Sequence, residues 1–80
     1  MAKKPLRSLP IGAKFHWQDR YESGCTIDYC GVKLAEVDKI WDHVEITERM
    51  MMQPKMKIVW ASTDLFRTRF DSYTQVNELE

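Results

Sequence analysis

Cysteine, proline and glycine are all scarce in this chain of 80 residues, which has two, three and three of them. Two cysteines cannot build the dense disulfide framework on which small secreted domains rely. On an extended segment Cys25 and Cys30 would face opposite ways, which disfavours a bridge and makes free, partly buried thiols the expectation. Gly12, Gly24 and Gly31 are isolated, so there is no glycine-rich phosphate loop. Net charge is missing as well. Twelve basic and twelve acidic residues cancel, leaving no overall field to draw the molecule onto nucleic acid or an anionic membrane. No apolar run approaches the ~20 residues of a bilayer span, and the start lacks the apolar segment of a secretory signal. These absences lead us to expect a cytoplasmic protein without a membrane partner.

What is present suits one small packed domain. Hydrophobic residues make up 44% and charged residues 30%, which argues against wholesale disorder. A chain this short supports a single core, with a net stability of roughly 4–12 kcal/mol. The charge is unevenly spread: Lys3, Lys4 and Arg7 lie in the first ten residues with no acid among them. With Pro5 and Pro10 they make residues 1–11 read as a flexible basic arm, followed by one domain over 12–76 and a frayed acidic end over 77–80.

Within the domain, Phe15 and Trp17 alternate with polar neighbours, and Ile27 and Tyr29 do so again after a polar connection. This is the pattern of two half-buried strands, and a hairpin is the simplest way to pair them. Gly31 then breaks the second strand. The interval from Val32 to Gln53 holds Leu34, Val37, Ile40, Trp41 and Val44 at steps of three and four, within an arc of about 120° on a helical wheel. The spacing predicts a central helix over about 33–48, ended by Pro54. The β-branched Val37, Ile40, Val44, Ile46 and Thr47 weigh against it, and the rival reading makes residues 43–50 a strand. Met56, Ile58 and Trp60 alternate as a central strand. Phe66, Thr68 and Phe70 alternate as a further strand that turns at Asp71-Ser72, although Phe66, Phe70 and Tyr73 also fit a helical face.

The fold expected is therefore α+β: a three- to four-stranded, largely antiparallel sheet packed by one central helix. The alternative is an all-β small barrel. Phe15, Trp17, Tyr29, Trp41, Trp60 and Phe66 should fill the core.

No arrangement of residues specifies catalysis. A nucleophile with a histidine base and an orienting group cannot be assigned, and Asp38 and Asp42 would lie one helical turn apart on an exposed face. An enzyme is not expected, nor is a cofactor. Cys25, Cys30, His16 and His43 could in principle surround zinc, but four residues separate the cysteines and the histidines lack the usual paired spacing. No metal is expected. On the helix, Asp38, Asp42 and Glu45 would form an acidic stripe beside Trp41 and Glu48, with Met51 and Met52 as an adaptable second patch. Such a face suits docking on the basic surface of a larger protein. The reading is of a non-enzymatic protein-binding module, such as a small stoichiometric inhibitor or adaptor of the kind phages and mobile elements carry. The alternative is a nucleic-acid binder, in which Lys3, Lys4, Arg7, Lys14, Arg67 and Arg69 neutralise phosphates and sheet aromatics stack on bases. An uncovered sheet edge could also pair two copies.

Overall fold

A computed structural model describes residues 3–53, 56–63 and 65–79, with the backbone alone for 56–59. Among the described residues seven strands follow one another: β1 (Lys4–Pro5), β2 (Lys14–Arg20), β3 (Thr26–Glu36), β4 (Trp41–Gln53), β5 (Met56–Ser62), β6 (Phe66–Asp71) and β7 (Gln75–Leu79), with a 3-10 turn at Leu6–Ser8. All described pairings are antiparallel, in the order β1-β7-β2-β3-β4-β5, and β6 also pairs with β4. The architecture is all-β, and the expected α+β fold is corrected accordingly.

The correction falls on the middle of the chain. Residues 33–48, read as a helix, form the end of β3, a tight turn and most of β4. Burial there follows period two, not 3.6: Asp42, Val44 and Ile46 are all buried. A helix that buried Val44 beside Ile40 and Trp41 would have left Ile46 outside, whereas a strand buries Val44 and Ile46 together. Ile40 and Trp41 are 52% and 36% exposed instead. The β-branched residues settle into the pleated conformation that suits them.

The strand expectations fare better. β2 and β3 form the hairpin, with Trp17 opposite Tyr29 and their rings stacked at 5.2 Å. Its turn closes with the Tyr21 amide donating to the Cys25 carbonyl, and Gly24 takes a φ of 88°, which favours glycine. β5 and β6 run in the same direction along one edge of β4, β6 against Trp41–Ile46 and β5 against Arg49–Gln53. Between them the Arg49 guanidinium lies 4.8 Å from the centre of the Trp60 ring and 4.6 Å from that of Phe66, a cation held by two aromatic faces. β5 closes the strand order instead of occupying its centre, and Trp60 is 41% exposed.

The sheet rolls on itself. Phe70 of β6 reaches within 4.9 Å of Trp17 and 5.9 Å of Phe15, both on β2, although β3 and β4 stand between those strands in the order. The enclosed core consists of Leu6, Leu9, Phe15, Val44, Ile46 and Val76, with Trp17, Tyr29, Phe66 and Phe70 packed against it. Leu6 and Leu9 correct the reading of a flexible arm: Lys4–Pro5 pairs with β7, and the amides of Leu6 and Arg7 donate to Thr74 and Ser72. Val76 and the pairing of β7 with β2 likewise tie down the end expected to fray. Met1, Ala2, Pro54, Asp64 and Glu80, which entered those expectations, lie outside the described residues, as do the side chains of Met56 and Ile58.

Gly31 sits inside β3 instead of ending it, opposite Phe15. A Cβ there would meet the Glu45 carbonyl at 2.9 Å and the Phe15 ring at 3.0 Å, so only glycine lets the ring lie across the strand. Gly31→Ala should therefore lower stability by about 1–3 kcal/mol, the usual penalty for overpacking. Urea unfolding checks this, and an unchanged midpoint would show that the ring has room to shift.

Candidate functional site

Two turns meet at one end of the rolled sheet. In the first, between β3 and β4, the Val37 and Asp38 amides donate to the Trp41 carbonyl, and Asp38 Oδ1 accepts from the amides of Ile40 and Trp41, both at 2.9 Å. In the second, between β6 and β7, Asp71 Oδ1 accepts from the Tyr73 amide at 2.8 Å. Both are turns held by an aspartate side chain, which replaces backbone partners locally. The Ser72 amide donates to the Ile40 carbonyl (2.9 Å) and locks the turns together, while the Arg7 amide donates to Ser72 O (2.8 Å) and adds the N-terminal segment.

These segments enclose a cleft of about 480 Å³ lined by Arg7, Glu36, Val37, Asp38, Lys39, Asp42 and Ser72. Val37 in this lining is exposed, as are Ile40, Trp41 and Tyr73 in or beside the same two turns. The Arg7 guanidinium donates to the Tyr73 hydroxyl at 2.6 Å and stands 5.0 Å from the centre of its ring, so one side of the rim is fixed.

Beneath the cleft lies Lys33, wholly buried. Its Nζ is 2.8 Å from Leu9 O, 3.3 Å from Arg7 O and 3.4 Å from Leu6 O. Two carboxylates complete the shell, Glu36 Oε1 at 3.3 Å and Asp42 Oδ2 at 3.6 Å, the latter within ion-pair range but too far for a hydrogen bond. A cation out of water needs such partners, and the carbonyl end of a 3-10 turn offers partial negative charge. Asp42 is 1% exposed, so its expected place on a solvent-facing stripe is corrected.

Of the expected docking residues, Asp38, Trp41 and Asp42 meet at this end. Glu45 does not: it lies further along β4, where Arg67 Nε reaches its Oε2 at 3.3 Å. Glu48 pairs across from Cys30, and Met51 and Met52 belong to the half of β4 paired with β5. The acidic stripe therefore does not exist as a surface. Sequence reasoning missed Glu36, Lys39 and Ser72 as cleft residues and Lys33 as the buried partner of Glu36 and Asp42. The only signal was Asp71-Ser72, which marked a turn.

Of the six cations proposed to hold phosphates, three have a side-chain partner and Arg67 and Arg69 share the exposed face of β6. Lys4 is paired with Glu78 at 3.1 Å, Arg67 with Glu45, and Arg7 with Tyr73. Lys3, Lys14 and Arg69 are exposed on separate parts of the chain.

Among the described residues no group of three or more His, Cys, Asp or Glu is placed to hold a metal ion. His16 Nε2 is 3.0 Å from Asp28 Oδ1, which also accepts from Gln18, while His43 sits near the start of β4, across from Ala35 and Arg69. Cys25 and Cys30 are free. Among the described residues no helix is long and apolar enough to cross a membrane.

Comparison of the chain with protein-family models, with curated proteins and with solved structures found no match. The arrangement of side chains therefore stands alone as the guide to function.

Burial pushes the Cys30 thiol above its ordinary range, and the nearby charges of Glu48 and Asp28 push it the same way. A raised pKa leaves less thiolate at a given pH. Cys30 should accordingly react with iodoacetamide at about pH 8 more slowly than glutathione does, and catch up as the pH rises. Mass-spectrometric timing of the peptide containing Cys30 checks this; reaction faster than glutathione would contradict it.

Proposed function

We propose that this is a non-enzymatic protein-binding module of the cytoplasm that docks a larger protein through the end of the sheet where the two turns meet. What supports the reading is that Val37, Ile40, Trp41 and Tyr73 are exposed in or beside the two turns that meet at this end, with Arg7 held on Tyr73. Trp, Tyr and Arg are the residue types that dominate binding energy at protein interfaces, and apolar neighbours exclude water around them. The rim needs little ordering on binding, because aspartate side chains hold both turns and Tyr73 holds Arg7. A small module of this kind works by occupying a surface, as a stoichiometric inhibitor or adaptor does.

In this proposal the end of the sheet takes the place of the acidic stripe as the docking face. What supports it over nucleic-acid binding is that three of the six cations that the rival requires have partners in Glu78, Glu45 and Tyr73.

A photoreactive residue at position 40 should cross-link one defined protein in the native cell. Capture should be lost when Tyr73→Ala and Trp41→Ala are added to the folded chain. The same residue at position 22, in the turn at the opposite end of β2, should not capture that protein. Equal capture from both positions, or capture indifferent to Trp41 and Tyr73, would remove this end from the account. Capture of oligonucleotide instead of protein would favour the rival reading.

A further inference from the structure

Among the described residues β1, β5 and β6 each pair along one side only. β1 is two residues long and ends on Pro5, and the register of β5 shifts twice against β4, between Met51 and Met52 and between Met52 and Gln53. Short length, proline and bulges are common ways of keeping an edge from accepting another strand. β6 differs from both, because its six residues pair with Trp41–Ile46 without a break. What it carries instead is charge, which repels a like strand and admits an opposite one.

The ladder also determines which backbone groups of β6 point away from the sheet. The Ser72 amide donates to Ile40 O at 2.9 Å, one step beyond the pair of Trp41 with Asp71. Antiparallel neighbours alternate between hydrogen-bonded and non-hydrogen-bonded pairs. Phe70, Thr68 and Phe66 therefore spend their amides and carbonyls on β4, and Arg69 and Arg67 turn theirs to the open side. Asp71 has the same parity, and its carbonyl accepts from the Thr74 amide at 3.0 Å. The Arg69 carbonyl meets the Thr68 hydroxyl at 3.4 Å. The side chains follow the same alternation: Arg67, Arg69 and Asp71 are exposed, and Phe66, Thr68 and Phe70 are half-buried. Arg67 remains 67% exposed although its Nε reaches Glu45 Oε2 at 3.3 Å, and a guanidinium has further N–H groups to give. Open backbone and exposed cation thus coincide at two positions about 7 Å apart along the strand.

We propose that β6 accepts an extended acidic segment of another protein as an added strand, with carboxylates two residues apart across from Arg67 and Arg69. Main-chain bonds to the edge supply affinity and the charge pairs supply selectivity. The residue between the carboxylates falls on the other face of the sheet, beside Phe66, Thr68 and Phe70, and is apolar. A second copy of this chain is the poorer occupant. Asp71 is committed to its own turn through Tyr73 and Thr74, so two β6 strands would set arginine against arginine. The edge runs into the Asp71–Tyr73 turn, yet the recognition requires neither Trp41 nor Tyr73 and stands or falls apart from the docking end.

The probe is a capped heptapeptide of alternating valine and glutamate, titrated into the full chain and followed through backbone amide resonances. Saturable shifts at residues 66–71 are expected, with an affinity of about 1 mM, together with slowed exchange of the Arg67 and Arg69 amides. Combining Arg67→Glu with Arg69→Glu, both on the exposed face, should weaken binding about tenfold and make the peptide with lysine in place of glutamate the better ligand. The same peptide N-methylated at its glutamates should not bind, because its amides can no longer pair with the edge. No saturable shift at residues 66–71 up to about 10 mM would overturn the proposal, a concentration well above the expected affinity. So would equal binding of the N-methylated or lysine peptide to the unaltered chain, or unchanged affinity in the double variant. Displacement of the peptide by a thymidine oligonucleotide that shifts the same amides would overturn it in favour of nucleic acid.

Discussion

One buried ammonium organises this molecule. Lys33 is wholly enclosed, and an unpaired charge in that position would cost several kcal/mol, a large part of the stability available to so short a chain. The fold meets the demand by bringing three carbonyls from the N-terminal segment and two carboxylates from β3 and β4 to the same nitrogen. The pleat shifts register between Lys33 and Ala35, where this side chain turns inward opposite Val44. An apolar pair could stabilise the same space as well or better. What the charge adds is a requirement for these oxygens in these places, and hence for residues 6–9 to dock where they do.

The same constraint reaches the surface. Asp42 and Glu36 face Lys33 and also line the cleft, so core and candidate binding site share side chains. Ser72 belongs to both as well, since its backbone ties the N-terminal segment to the first turn while its hydroxyl lies in the cleft wall. A cleft built this way is set before any partner arrives, and preorganisation of that kind lowers the cost of association. The distal half of β4 follows a different logic, in which Arg49 between Trp60 and Phe66 joins β5 to β6 by cation–aromatic contact.

How much of this was legible in the sequence depends on where period two stood uninterrupted. The hairpin of β2 and β3 and the strands at Met56–Ser62 and Phe66–Asp71 show plain alternation and were readable. The middle was not. Leu34, Val37, Ile40, Trp41 and Val44 match a helical face only because a turn lies between two strands at residues 37–40, and that turn contains neither glycine nor proline. It is made by the Asp38 side chain, a weak signal in a single sequence. Asp42 was assigned to the surface and Lys33 was given no role, because charges are rarely buried, and the exception became visible only once both strands were paired. Pro5, Pro10 and three cations concealed Leu6 and Leu9, two core residues three apart at the start and the C-cap of a short 3-10 turn. Of the candidate site, Asp38, Trp41 and Asp42 were named for the wrong reason, as neighbours on a helix.

The central claim is that the Lys33 charge holds residues 4–9 against the sheet, and amide hydrogen exchange in Lys33→Met measures it most directly. The amides of Leu6, Arg7 and Leu9 donate to Thr74, Ser72 and Leu6 in the native chain. Their exchange should accelerate about 100-fold or more, the loss expected when a buried ion pair is broken from one side, and should slow again when Asp42→Leu removes the orphaned carboxylate. Protection of those three amides unchanged in Lys33→Met would contradict the account.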